Sequence, residues 1–288
     1  MYDGITSKVK TPVGLTSSFR INSGLKQGGV LSPLLFIMTM NEIQREVKDQ
    51  MGENNMNIML FADDICIWGD SAEAVQQQID SWVNIAEKYG LRFNEEKIEI
   101  LILSREENSP TNNNIEMYGQ QLQVTDKFKY LGSILSQNGK IEEEVTNRIK
   151  VAGNFYSSIR SIIWNKHVPT KCKREIYKTY YIPILTYGSE TWTVRKKEES
   201  RIQAAEMKFL RSILGKTRRD RIRNDEIRRT IGVEKLQERI EHQRLRSFGH
   251  MKRMENNRLP KKFYEYQPEG KRPKGRPRMR YQDMKKRI

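Results

Sequence analysis

Two adjacent carboxylates, Asp63-Asp64, stand between the apolar runs Ile58-Met59-Leu60-Phe61-Ala62 and Ile65-Cys66-Ile67-Trp68. The runs read as the strands of a buried hairpin with both acids at its turn. Acids drawn next to a core are costly unless a cation neutralises them. A divalent ion does this best, and Mg²⁺ favours a few carboxylates together with phosphate oxygens and water. A solvated Asp-Asp turn is the competing reading; the apolar flanks weigh against it because they pull the turn toward a core.

Several elements would position this pair. Upstream, Gly24-Leu25-Lys26-Gln27-Gly28-Gly29 is a flexible loop. Ser32-Pro33 after it reads as the cap and first residue of a helix driven inward by Leu34, Leu35, Ile37 and Met38. Downstream, Ser71 opens a helix whose Val75, Ile79, Trp82, Val83, Ala86 and Tyr89 share one face, and Gly90 stops it. Leu91–Leu103 reads as a strand carrying Asn94 and Lys97, followed by a solvated loop over 105–114. A small hairpin at 115–124 follows, then a strand at Phe128–Leu131 continuing through Gly132 and Ser133, with a turn at Asn138-Gly139. From Ile141 the period becomes helical. One helix carries Val145 to Ile163, and a second spans Thr170–Trp192 with a kink at Pro183. Others cover Glu198–Leu214, Asn224–Thr230 and Val233–Met254. Trp164, Trp192 and Tyr180-Tyr181 read as core. The organisation is α+β over 1–140, all-helical over 141–255, and a mobile basic tail over 256–288.

The order of these motifs resembles the reverse transcriptases of non-LTR (LINE-like) retrotransposons. Their nucleotide-binding loop has the form Gly-x-x-Gln-Gly-x-x-Leu-Ser-Pro, here Gly24 to Pro33. Their catalytic hairpin is Phe-Ala-Asp-Asp, here Phe61 to Asp64. A palm segment Gly-Leu-x-x-Asn-x-x-Lys corresponds to Gly90 to Lys97, and a primer-contacting Tyr-Leu-Gly to Tyr130-Leu131-Gly132. The likeness continues through Leu185–Trp192, Gly249–Met254 and Gly275–Arg278, so it covers nearly the whole chain.

The resemblance implies the carboxy-terminal part of an RNA-directed DNA polymerase: a partial right-hand palm, with antiparallel sheet and helices, then an all-α thumb and connection. It implies an RNA template, a DNA primer or target, deoxynucleoside triphosphates and two Mg²⁺ ions about 3.5–4 Å apart. Asp63 matches the metal ligand, with Asp64 in a weaker or indirect metal role. Phe61 would lie beneath the incoming nucleotide. Ala62, Gln27 and Gly28 complete the nucleotide- and template-binding set. Lys97 matches a lysine proposed to protonate the leaving pyrophosphate; as a residue alone it reads equally as a surface lysine.

Two departures stand out. The family's further metal-binding aspartate lies on a strand upstream of any segment matched here, and Asp3, in a Tyr-Asp-Gly turn, is a poor substitute. The fingers and an endonuclease are likewise not represented. The expectation is that this chain alone does not polymerise, and that it is a truncated or decayed copy. A non-catalytic nucleic-acid-binding remnant is the alternative.

Charge supports a polyanionic partner. Residues 1–144 hold 13 Lys/Arg against 21 Asp/Glu, a net of −8, while 145–288 hold 39 against 15, a net of +24. Arg218-Arg219, Arg221, Arg223, Arg228 and Arg229 gather near a helix junction, where phosphates would bind in a salt-dependent, sequence-blind way; a solvated helix face is the plain alternative. Lys271–Arg278, including Lys274, Arg276 and Arg278, resembles an AT-hook, and reads equally as a nuclear-localisation patch. Cys66 and Cys172 form no disulfide framework, and no signal peptide or apolar span is visible. The expected setting is intracellular, nuclear or cytoplasmic, with no membrane partner.

Overall fold

The computed structural model describes residues 4–22, 24–52, 57–103 and 114–266. Asp3, the loop at 105–113 and the tail residues Lys274, Arg276 and Arg278 lie outside the described residues. The chain divides into two compact units that part at Thr125/Asp126.

The first unit opens with four two-residue strands, β1 (Thr6–Ser7), β2 (Lys10–Thr11), β3 (Gly14–Leu15) and β4 (Phe19–Arg20), pairing β1 with β4 and β2 with β3. Helix α1 spans Ser32–Met51, further than its polar sequence after Asn41 suggests, because Ile43 and Val47 are fully buried. Ser32 is not its cap. Its hydroxyl donates to the Lys26 carbonyl at 2.6 Å and staples the preceding loop to the helix start. Gly29 closes that loop: its amide donates to the Lys26 carbonyl at 3.0 Å, and a Cβ there would sit 2.5 Å from the Ser32 Oγ. Gly29→Ala is therefore expected to cost about 1–3 kcal/mol through overpacking. Chemical denaturation measures the loss, and Gly28→Ala, which faces open space but at a φ of +78°, serves as the strain-only comparison.

β5 (Ile58–Phe61) and β6 (Asp64–Ile67) form an antiparallel hairpin, and α2 (Ala72–Lys88) follows. Ser71 caps α2 as the sequence indicates, its Oγ accepting from the Ala74 amide at 3.2 Å. Met40, Ile43, Val47, Ile58, Trp82 and Ile85 make the core between α1, α2 and the hairpin. Buried Gln78 ties hairpin to helix: it accepts from the Asn57 amide at 2.9 Å and donates to the Trp68 carbonyl at 3.1 Å.

The strand expected over Leu91–Leu103 is mostly absent. The Asn94 side chain accepts from the Glu96 amide and turns Glu95–Lys97 into a 3₁₀ turn, leaving only β7 (Glu99–Leu101) extended. Such local side-chain bonds compete with a ladder. β8 (Glu116–Met117) and β9 (Gln120–Gln121) form the small hairpin, and β10 (Gln123–Thr125) pairs in parallel with β7. Among the described residues every sheet is two-stranded, so the antiparallel sheet expected from sequence is a set of ribbons rather than one layer.

The second unit begins with the hairpin β11 (Lys127–Tyr130) and β12 (Ser133–Ser136). The sequence groups this hairpin with the preceding strands, yet its partners are the helices after it. The helical run at 141–163 is broken at Ile159 into α3 (Glu142–Ser158) and α4 (Arg160–Trp164). Next come α5 (Thr170–Ile176), a π-helical turn at Tyr177–Tyr181, and α6 (Ile182–Leu185). The Ile182 amide donates to the Tyr177 carbonyl, five residues back. This widened turn absorbs Pro183, which has no amide hydrogen to give, so the kink falls where expected although the helix ends at Leu185 rather than Trp192. α7 (Lys196–Ile213), α8 (Asn224–Ile231), α9 (Leu236–Arg253) and α10 (Leu259–Glu265) complete the unit. Within the segment that the sequence reads as tail, α10 is helical and buries Tyr264.

Phe209 is the hub of this core, with ring centroids 4.2 Å from Tyr181, 5.5 Å from Tyr156 and 5.8 Å from Tyr177. Trp192 and Tyr181 are buried as expected, Trp164 is half-buried, and Tyr180 is exposed instead.

Candidate functional site

The acids occupy the tip of the β5–β6 hairpin. Phe61 pairs with Asp64, leaving Ala62-Asp63 as a two-residue connection. Ala62 takes a φ of +52°, a left-handed value that a tight hairpin turn imposes. The buried hairpin expected from sequence is corrected by the burial pattern. Ile58 is buried, but Met59, Phe61, Asp63 and Asp64 are exposed. Only one face rests on the α1–α2 core, because the ribbon has two strands and its outer face has no covering layer among the described residues.

The same core gathers the flanks of the other candidate residues. Phe36 of α1, Leu60, Ile65 and Ile67 of the hairpin, and Leu91 and Phe93 before the 3₁₀ turn all pack against it. Gln27 and Gly28 are exposed on the stapled loop that leads into α1, and Lys97 is exposed on the 3₁₀ turn. Loop, acidic tip and lysine are therefore carried by elements sharing one core. The half-buried Cys66 thiol, pushed up by burial, is a packing residue rather than a nucleophile.

Metal chemistry can be tested on the donor set. Among the described residues no group of three or more His, Cys, Asp or Glu side chains is gathered that could hold a metal ion. Asp63 and Asp64 alone fall short of a cage for two ions, since affinity for Mg²⁺ follows the number of oxygen ligands.

Tyr130, Leu131 and Gly132 lie in the second unit. Leu131 and Gly132 form the two-residue turn of β11–β12, with φ values of +46° and +87°. Three residues that the motif does not contain hold this turn. The Tyr187 hydroxyl donates to the Leu131 carbonyl at 2.7 Å. Arg148 donates to the Gly132 carbonyl and, through Nε, to Glu144 at 2.6 Å. Glu144 accepts from the Ile134 amide at 2.7 Å. The Glu144–Arg148 spacing of four residues on one helix was the available signal; its target was not visible.

The arginine cluster divides. Thr217–Arg223 is a built loop: the Asp220 carboxylate accepts from the Thr217 amide at 2.7 Å and its hydroxyl at 2.9 Å, and these bonds hold the carboxyl below its usual range. Arg211 braces the far side, donating to Asn224 at 2.6 Å. Arg218, Arg219, Arg221 and Arg223 point outward and are exposed, as phosphate contact requires. Arg228 does not join them. It is buried and paired with Glu206 at 2.7 Å, so it is a core residue and not a phosphate ligand.

Residues 6–135 match the reverse transcriptase (RNA-dependent DNA polymerase) family. The matched span covers the acidic hairpin and reaches into β12. The chain is 25% identical over 243 residues to the RNA-directed DNA polymerase from mobile element jockey of Drosophila melanogaster, an alignment covering 80% of this chain and 26% of that protein. It is 24% identical over 234 residues to an uncharacterized transposon-derived protein of Caenorhabditis elegans, covering 80% of this chain and 84% of that protein. It is 28% identical over 146 residues to the Pol polyprotein from a type-1 retrotransposable element R2 of Nasonia vitripennis, covering 46% of this chain and 14% of that protein. The chain thus spans about a quarter of the jockey polymerase and most of the nematode protein. No solved structure matches it. No helix among the described residues is long and apolar enough to cross a membrane.

Proposed function

We propose that the chain is a palm segment with the following helical thumb and connection of a non-LTR retrotransposon RNA-directed DNA polymerase. One observation carries the reading. Inside the span matched to reverse transcriptases, two adjacent carboxylates sit on the exposed tip of a ribbon anchored to a core, reachable by phosphates and cations. Asp63 and Asp64 act at the reacting end. Gln27 and Gly28 offer backbone and amide to nucleotide and template, and Phe61 and Ala62 offer apolar support beneath the nucleotide. Lys97 supplies a cation for the leaving pyrophosphate. Tyr130, Leu131 and Gly132 meet the primer, and Arg218, Arg219, Arg221 and Arg223, with Lys274, Arg276 and Arg278, meet phosphates. The template is RNA and the primer or target is DNA. Among the described residues the tip offers two carboxylates, a short set for two ions, so the expected result is that the chain alone does not polymerise.

Mn²⁺ titrated into ¹⁵N-labelled full chain tests the acidic tip. Amides of residues 61–65 should broaden first, and Asp63→Asn with Asp64→Asn should abolish that preference. Broadening spread evenly over other surface acids would sink the assignment. In primer extension on an RNA template, synthesis should stay at the level of the double variant. Robust templated synthesis by the wild-type chain would keep the polymerase reading and overturn its incompleteness.

A second reading, a nucleic-acid-binding remnant without chemistry, is favoured by the braced, exposed arginine loop. It predicts salt-sensitive binding to an RNA–DNA duplex and no preferential Mn²⁺ effect at 61–65.

A further inference from the structure

The β11–β12 turn is held more firmly than a hairpin tip requires. A two-residue turn in a left-handed conformation is closed by its own ladder, here Tyr130 facing Ser133. Yet both of its carbonyls are taken from outside, Leu131 by Tyr187 and Gly132 by Arg148, and the Ile134 amide behind it is taken by Glu144. The three holders are themselves joined. Arg148 pairs with Glu144, and its guanidinium lies 4.7 Å from the Tyr187 ring centre in cation–π geometry. Glycines let the two segments approach. A Cβ on Gly132 would touch the Tyr187 ring at 3.5 Å, and one on Gly188 would sit 3.2 Å from the Ser133 hydroxyl. Arg148 and Glu144 are buried, while Tyr187 and the turn tip stay partly exposed at the edge of an open cleft of about 550 Å³.

Folding alone gives no reason to saturate both tip carbonyls with side chains, since exposed carbonyls are satisfied by water at little cost. Fixing the tip matters if its position is used. We infer that Tyr187, Arg148 and Glu144 are positioning residues that set the Tyr130-Leu131-Gly132 turn against the 3′ end of a bound nucleic-acid strand. The inference rests on the reading of that turn as primer-contacting. The arginine spends its charge on Glu144 and the turn, so it grips protein rather than phosphate, and its loss would misplace the tip without stripping the duplex-binding charge.

The full chain is bound to an RNA–DNA duplex carrying a photoreactive 3′-terminal nucleotide, and three readouts are taken: duplex affinity, yield of crosslinks to residues 130–132, and amide exchange at 132–134. Tyr187→Phe removes one hydroxyl and keeps the ring under Arg148. Arg148→Lys keeps the charge and loses the fork, a second variant should the first prove too mild. Both should leave affinity within about twofold. Both should speed exchange at 132–134 and lower the crosslink yield by about three- to tenfold, the size of one net hydrogen bond. A wild-type chain that does not crosslink at 130–132 would refute the primer reading and the inference with it. A wild-type chain that crosslinks there, with variants crosslinking equally, would refute the clamp alone, whatever exchange shows.

Discussion

Arg228→Ala is expected to lower the free energy of unfolding by about 3–5 kcal/mol, the loss typical of stripping one partner from a buried ion pair. The pair is closed off. The Arg228 and Glu206 side chains are 5% and 0% exposed, and their nitrogen and oxygen lie 2.7 Å apart. Glu206 also accepts from the Tyr177 hydroxyl at 2.8 Å. Alanine leaves that carboxylate buried with a phenol as its one strong partner, and the helices joined by the network, α5 with its π-turn, α7 and α8, lose their shared polar tie. Urea unfolding followed by far-ultraviolet circular dichroism measures the shift. Replacing both members, Arg228→Met with Glu206→Leu, should recover most of the loss, because the penalty lies in the stranded charge rather than in a missing attraction. A single variant within about 1 kcal/mol of wild type, well below the cost of an uncompensated buried charge, would contradict the burial seen here.

Stability should also fall steeply in alkali. Burial first, and the neighbouring Glu206 carboxylate second, raise the Tyr177 and Tyr181 phenols well above their ordinary range. Unfolded phenols ionise near pH 10, so above that point the unfolded chain sheds protons the folded chain retains. The contribution is therefore complete below about pH 10 and is lost as pH rises beyond it, at about 1.4 kcal/mol per pH unit for each tyrosine. The comparison that isolates the pair is the slope of stability against pH in wild type and in Tyr177→Phe/Tyr181→Phe. The double variant should be less stable at neutral pH and visibly flatter above pH 10. Equal slopes would mean that water reaches the two hydroxyls in the folded state.

What could be read from sequence was whatever short-range rules decide. α2 announced itself by the Ser71 cap, a 3.6-residue apolar period and Gly90. α7 did so by Ile202, Phe209 and Ile213 ahead of Gly215, whereas the Leu131-Gly132 turn was hidden in a run from Phe128 to Ser133 that read as one strand. The acidic tip was legible as a hairpin turn because two apolar runs flanked it. Its exposure was not, since burial of a ribbon depends on whether another layer covers its outer face. Asn94 misled the strand reading at Leu91–Leu103, because the choice between capping a turn and joining a ladder rests on one side-chain hydrogen bond. Arg228 and Arg229 looked alike in a basic run, yet one faces Glu206 across the core and the other faces solvent. Only the helix phase set by Ile227 and Ile231 separates them. The residues that grip the β11–β12 turn were invisible for the same reason: Arg148 and Tyr187 are distant in sequence from Gly132 and from each other.

The π-turn at Tyr177–Tyr181 carries an implication for how this helix is related to others by descent. One residue more than a regular turn needs is taken up there, so the segment before it is rotated by about 100° relative to an unbroken helix. Tyr177 and Tyr181, four residues apart across the turn, both pack on Phe209. A homologous helix lacking the extra residue would align letter for letter up to this point while presenting a different side to its neighbours. A one-residue deletion in this turn would therefore change which face of the preceding segment is packed.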